Sequence, residues 1–423
     1  MTIRARTTLF ATILAAAWIS AGLAPFVSAL IDAPEPIDFA RDYVGARARL
    51  EFGRGVVLAD DAANAYARTI GAPQVTLLSG PFLPHPPSAM LPVLPLAALR
   101  FELASRAWLA LSFVALAALA FMLAAAALRV ERPSPLAVTV LLALLCIWPP
   151  VLYDFAKGQW SILLAACVAG GWHSLARDRE RAAGVWLGLA ASLKVTPGLL
   201  IVFLLLRHRR AAVAMIATAL TVVVASVAID GLEPWMAWVA NVRRNVDAWQ
   251  TWIANTASVH GFVARLFARS AFTRPLIDAP AAVTVAGLVA VAVTVGVAVV
   301  ATRAASQSLD EDRRLFALWT VLIVLLNPLA WSHTLTIALV PLALLADTRR
   351  ALAGTALVVV TLPRETLAAL AGPLPVQPGH ALWLSLHAGG LLLLFAAACG
   401  WRHERERAGE PRGLYQGLTE SGR

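Results

Sequence analysis

The chain alternates long apolar runs with short polar segments rich in arginine. A helix needs about 20 apolar residues to cross the hydrocarbon of a bilayer. Runs approaching or exceeding that length occupy residues 8–31, 107–127, 135–152, 160–175, 211–229, 275–301, 315–326, 332–345, 351–370 and 381–400. Those at 315–326 and 332–345 are short and can extend into the residues between them. The run at 351–370 is interrupted late by Pro363-Arg364-Glu365. Residues 1–6 are basic and precede the first run, which is long for the core of a cleaved leader and predicts an uncleaved first span.

One further apolar stretch, 182–206, carries Lys194 and Pro197 at its middle. Arg177, Arg179 and Arg181 precede it, and Arg207, Arg209 and Arg210 follow it. Lys and Arg concentrate in cytoplasmic loops, so both flanks belong on one side of the membrane. A single crossing would separate them. Two short helices meeting near Lys194–Pro197 keep them together. Each would be about 12 residues, or about 18 Å, too short to cross. The tip would therefore lie within the membrane, where irregular backbone is tolerated only against protein or water. Counting the hairpin as two gives an all-α bundle of about 12 transmembrane helices, with both termini cytoplasmic.

Two long connections, 32–106 and 230–274, fall on the outer side. The second holds Trp235, Trp238, Trp249 and Trp252, residues suited to the membrane interface. Helices lying on the outer surface are expected in both. Residues 1–400 read as one integral membrane domain and 401–423 as a polar cytoplasmic tail.

Composition supports this picture. Of 423 residues, 59% are hydrophobic and only 14% charged, against about 25% in soluble domains. So few charges cannot cover so much apolar surface, which excludes a soluble enzyme and a disordered chain. The net charge of +10 is spread between apolar runs with no basic stripe interleaved with aromatics, so nucleic acid is not indicated as a partner. Cys146, Cys167 and Cys399 each lie inside an apolar run and match no metal or disulfide pattern. No Gly-rich phosphate loop and no pair of histidines at metalloprotease spacing occurs.

Several residues could carry chemistry. Asp38, just after the first span, can be a general base toward a hydroxyl or simply a helix cap. Lys194 is a charge inside an apolar region, a functional candidate by default; it could hold a phosphate, or pair with an acid such as Asp154. His333 follows Asn327-Pro328-Leu329-Ala330-Trp331-Ser332 at a break between apolar runs, and His260 follows Asn255-Thr256-Ala257-Ser258-Val259. Gln159 and Trp160 open another span on the same side. This placement predicts one cavity opening outward. Gly184 and Gly188 have the spacing of close helix packing. A transporter or flippase of a lipid-linked or anionic substrate would also combine many spans with a charge at depth, but the two unequal outer loops give no sign of repeated halves.

These stretches resemble the bacterial polyprenyl-phosphate-dependent glycosyltransferases of family 87, which have the GT-C fold. The matching elements are Asp38-Phe39 with Tyr43 and Ala46, Pro84-His85-Pro86-Pro87, Gly158-Gln159, and Gly184 through Ser192-Leu193-Lys194-Val195-Thr196-Pro197. Asn255 through Gly261 with Arg265, and Pro328 through His333, complete the set. The resemblance implies an inverting transfer of a hexose, often mannose, from a polyprenyl-phosphate donor to an extracytoplasmic lipid or glycan acceptor. It places the base at Asp38 with Asp42 as fallback, the donor phosphate at Lys194 with His260 and His333, and Gln159, Asn255 and Trp331 in the substrate pocket. It calls for no cofactor and no metal ligand set, and it implies a bacterial plasma-membrane location. Asp42 stands where the family often has an aromatic residue, His85 replaces a common Tyr, and the usual Tyr near Gly55 is absent.

Overall fold

The computed structural model describes residues 36–73, 85–244, 256–271, 273–347, 350–373 and 375–400. The expected first span, Asn255, Trp249, Trp252 and the tail at 401–423 lie outside the described residues. Those described are helical, with no strand beyond an isolated bridge between Thr273 and Val376.

The first outer connection begins with α1 (Ile37–Phe52) and α2 (Asp60–Thr69) and continues through a 3-10 turn at Pro87–Met90. Among the described residues, the helices able to cross a membrane start with α3 (Phe101–Leu128). Next come α4 (Pro135–Cys146) and α5 (Pro149–Lys157), where the expectation was one run. Pro149 and Pro150 start a new helix after Trp148, and the pair is bent by 67°, the break expected where proline cannot continue the hydrogen-bond ladder. Helix α6 (Ser161–Leu175) leads to α7 (Glu180–Leu193), a 3-10 turn at Thr196–Leu199, and α8 (Leu200–Arg207). After α9 (Arg209–Asp230), α10 (Glu233–Arg244) and α11 (Val259–Phe267) lie in the second outer connection. The chain closes with α12 (Pro280–Ala304), α13 (Leu309–Leu325), a 3-10 turn at Ser332–Ala338, α14 (Leu339–Leu345), α15 (Arg350–Thr361), α16 (Arg364–Ala371) and α17 (Leu386–Cys399).

By length and apolarity, three described helices can cross a membrane: α3, α9 and α12, or four crossings if the bent α4–α5 pair is one. The others are shorter because local chemistry interrupts them. The expected run at 351–370 breaks into α15 and α16 at Pro363, and that at 332–345 begins as a 3-10 turn. Helix α13 instead starts earlier than its apolar run. Ser308 Oγ accepts from Glu311 N at 3.3 Å, an N-cap that carries the helix through a charged first turn.

The stretch at 182–206 does double back. His208 Nδ1 lies 3.3 Å from Glu180 Oε1, so its two flanks meet at one end of the bundle. The hairpin is held by small residues. A side-chain carbon on Gly188 would come within 2.6 Å of Met215 O in α9, and one on Gly184 would overlap Ala211 O. On the other face, the place of a side chain at Gly171 in α6 is taken by Leu187, 2.7 Å away. Helix α7 is thus wedged between α6 and α9 at near backbone contact.

Two polar belts mark the ends of the bundle. At one, Arg129 bridges Asp310 (2.8 Å) and Asp347 (2.5 Å), and Arg207 meets Asp312 at 2.7 Å. Arg313 donates to Leu344 O and Arg314 to Ala398 O, placing cations on the C-terminal carbonyls of α14 and α17. At the other end, α1 is tied to α9 by the buried Arg49–Asp230 ion pair. Helix α13, about 25 Å long at 1.5 Å per residue, separates the belts.

Candidate active site

The turn after α5 organises the end of the bundle opposite the arginine-rich belt. Gly158 ends the helix at φ 64°, a left-handed conformation that suits glycine. A side chain there would also collide with Phe39 and Pro36, 2.7 and 2.8 Å away. The start of α1 is therefore laid directly on this turn. Trp108 Nε1 donates to Gly158 O at 3.1 Å. Phe39 stacks on Trp108 at 5.1 Å, and Trp108 meets Trp160 edge-on at 4.5 Å. Tyr43 donates to Leu99 O at 2.8 Å. This aromatic wall fixes the face of α1 that carries Asp38 and, one turn later, Asp42.

The two acids differ. Asp38 is half-buried and lies 3.2 Å from Arg41. Asp42 is buried and receives hydrogen bonds from Trp160 Nε1 at 2.8 Å and from His85 Nδ1, which is 3.1 Å from each of its oxygens.

Lys194 terminates α7 in extended backbone, φ −150° and ψ 129°, at the hairpin tip. The turn at Pro87–Met90 covers this tip, with Ser88 Oγ donating to Ser192 O at 2.5 Å. Lys194 lies deep in the protein yet stays partly accessible. It makes no hydrogen bond or ion pair with a described residue, while Asp154, Asp38 and Asp42 are within its electrostatic reach. His333, in the 3-10 turn packed on α5 and α6, is buried and lies within electrostatic reach of Lys194, His85 and Lys157.

Two of the buried polar atoms without a hydrogen-bond partner, which are spread through the described residues, lie here. Gln159 is buried with Oε1 unpartnered, and Asp154 Oδ1 is likewise unpartnered. The second Asp154 oxygen accepts from Ile162 N at 3.2 Å and caps α6. Buried polar groups are normally paired; a set left open around one cation is the pattern of a site that takes a polar ligand. No group of three metal-ligating side chains occurs among the described residues.

The structure thus brings Asp38, Asp42, Lys194 and His333 together, with Gln159 beside Asp154 on the adjoining turn. His260 sits apart. Its ring lies 3.2 Å from where a side chain on Gly287 of α12 would start, and no charged group acts on it. Trp331 precedes His333 at the head of the 3-10 turn. This segment is tied to the second outer connection by Ala257 N donating to Ala330 O at 2.8 Å. Arg265, fully buried, donates to Thr256 O and Ser385 Oγ, both at 2.9 Å, bracing the same junction. Sequence reasoning gave Asp154 only a pairing role and treated His85 only as a departure from a pattern. An acid within an apolar run was the available signal for Asp154; none existed for the His85–Asp42 contact, which spans 43 positions.

No curated protein and no solved structure matches the chain. The model of glycosyltransferase family 87 matches residues 82–328, which takes in His85, Asp154, Gln159 and Lys194 and ends before Trp331 and His333. That match covers more than half of the 423 residues, and the chain, a helical membrane protein with an open polar site at one end, belongs to glycosyltransferase family 87.

Proposed function

We propose that this membrane glycosyltransferase moves a hexose, with mannose as first candidate, from a polyprenyl-phosphate donor to a hydroxyl of a lipid or glycan acceptor, with inversion. The observation that carries the reading is Lys194: a cation at the tip of a hairpin that makes no direct hydrogen bond or ion pair with a described residue, with the acids of α1 and Asp154 within its electrostatic reach. A charge held at such depth without a direct partner is costly, and a phosphate ester would supply one. The prenyl tail would stay in the bilayer while the phosphate and sugar enter beside Lys194.

In this reading Asp38 removes the acceptor proton as the hydroxyl attacks the anomeric carbon. The bond from that carbon to the phosphate oxygen breaks, and the electron pair leaves with the phosphate. Lys194, with His333 next to it, stabilises the charge that builds there, a preorganised electrostatic role. Asp38 suits the base better than Asp42, because both oxygens of Asp42 are already engaged by His85 and Trp160. The site end would be extracytoplasmic and the arginine-rich belt cytoplasmic, in a bacterial plasma membrane. About twelve helices in a GT-C-like bundle would complete the fold. Asn255 and Trp331 extend the substrate pocket in this reading, and His260 has a weaker claim than His333.

The test is transfer by purified protein from decaprenyl-phosphate mannose to a panel of octyl glycosides. Asp38→Asn should retain the thermal midpoint of the parent and lose transfer by at least about 100-fold, the range for a general base. Full activity in that variant removes Asp38 from the mechanism. Lys194→Ala should weaken donor affinity; unchanged donor affinity and turnover would leave Lys194 structural.

A further inference from the structure

The Asp42–His85–Trp160 cluster has no part in the proton transfer just described, yet its geometry is specific. Trp160 Nε1–H can only donate, and it occupies one oxygen of Asp42 at 2.8 Å. His85 Nδ1 is placed equally, at 3.1 Å, from both carboxylate oxygens. A carboxylate that chelates one ring nitrogen in this way accepts its N–H. The proton of the neutral imidazole is then on Nδ1, and the Nε2 lone pair is left as an acceptor. Nε2 makes no hydrogen bond with any described residue. The ring is braced against the Trp160 edge at 6.1 Å and 72°, and 7% of the residue stays accessible. Ser88, three residues on, is bonded to Ser192 O at the hairpin tip, and His333 lies within electrostatic reach of both His85 and Lys194, which puts the imidazole near the cation.

We propose that His85 is a substrate-binding residue whose Nε2 accepts a hydrogen bond from a sugar hydroxyl, and that Asp42 is a positioning residue that holds the required tautomer. This rests on the glycosyltransferase reading above and adds a hydroxyl receptor to it. A fixed acceptor opposite a fixed cation orients the sugar relative to the phosphate, and misorientation by about 1 Å is enough to slow a displacement strongly. The hydroxyl can belong to the donor sugar or to the acceptor glycoside.

His85→Asn separates the two functions of the ring. The asparagine amide can still donate to Asp42, as Nδ1–H does, but offers nothing at the position of Nε2. Asp42→Asn acts through the tautomer. Its carbonyl must face the donor-only Trp160, so its amide faces His85, which moves the imidazole proton to Nε2 and removes the acceptor.

Two measurements on the full-length protein in nanodiscs decide the matter: affinity for decaprenyl-phosphate mannose against decaprenyl phosphate, and mannose transfer to octyl glycosides. A donor-sugar contact predicts that both variants lose at least tenfold in affinity for the mannosyl lipid and nothing for the sugar-free lipid. An acceptor contact predicts unchanged donor affinity, with at least a tenfold rise in KM for the glycoside or the same fall in kcat. In either case His85→Asn keeps the parent's thermal midpoint. If His85→Asn matches the parent in all readouts while His85→Ala unfolds, the cluster is only structural and this inference falls alone. If the parent neither binds nor uses the mannosyl lipid, the functional reading falls and takes this inference with it.

Discussion

Asp154 shows how one side chain can serve fold and site together. One oxygen caps α6 at Ile162 N, and the other is buried without a partner and within reach of Lys194. Asp154→Asn keeps a carbonyl for the cap and removes an ionisable group within reach of Lys194. The expected result is an unchanged thermal midpoint and tighter binding of decaprenyl phosphate, read by titration in nanodiscs. Weaker binding would mean that Asp154 orients Lys194 rather than competes for it. Asp154→Ala removes the cap as well and should cost about 0.5–2 kcal/mol, measured as a lower midpoint. At this scale the candidate residues were legible one at a time, because a charge in an apolar run is anomalous on physical grounds. Lys194 stood out in that way, whereas Asp38 was singled out by its place just after the first span and His333 by the break between two apolar runs. His85 did not, since a histidine between prolines has no meaning until its carboxylate partner is known.

Among the elements, the hairpin of α7 and α8 matters most. Its existence followed from arginines on both flanks of a stretch too charged at its centre to cross. Its position relies on glycine. Gly184 and Gly188 face α9 at distances that admit no side chain, and Gly171 of α6 receives Leu187. Gly188→Leu should therefore displace α7 from α9. A loss of the order of 1–3 kcal/mol is expected from such overpacking, seen as a lower thermal midpoint, together with weaker donor binding because Lys194 moves with the helix. Normal stability and binding would show that α9 yields and the tip is positioned by other contacts. Elements that failed to follow the hydropathy were interrupted by local chemistry. Pro149 and Pro150 split one expected run into α4 and α5, and Pro363 separates α15 from α16. Hydropathy averages over such residues and so predicts the run but not the break.

For the molecule as a whole, charges at its two ends set stability. At the arginine-rich end His208 lies between Glu180 and Asp312, 3.3 Å from each, with Arg207 beside it. Burial disfavours its charge, but the hydrogen bonds and charges of Asp312 and Glu180 outweigh that, and its pKa is raised. A raised histidine pKa means that protonation favours the folded state. The contribution is complete below the unfolded value of about 6.5 and disappears as pH rises through the higher folded value. The thermal midpoint of the parent should exceed that of His208→Gln at pH 5.5, and the gap should close toward pH 9. A gap independent of pH would assign His208 a packing role only. At the opposite end, Asp230→Ala strands buried Arg49. Breaking a buried pair of this kind costs about 3–5 kcal/mol and should loosen α1 from α9, detected as faster hydrogen exchange in α1.

The sequence by itself determined that the chain lives in a membrane, which stretch turns back within it, and which few charged residues are out of place there. Each of these is a local property: apolar length, charge sign on the flanks, and the cost of a single ion in hydrocarbon. Tertiary structure alone decided which of those residues meet. Asp42 joins His85 and Trp160 across 43 and 118 positions, Lys194 faces acids from two other helices, and His260 turns away toward α12. Such contacts depend on the packing of helices far apart in sequence, where one glycine or one bend redirects a whole element. That information is shared among many residues and belongs to none of them singly.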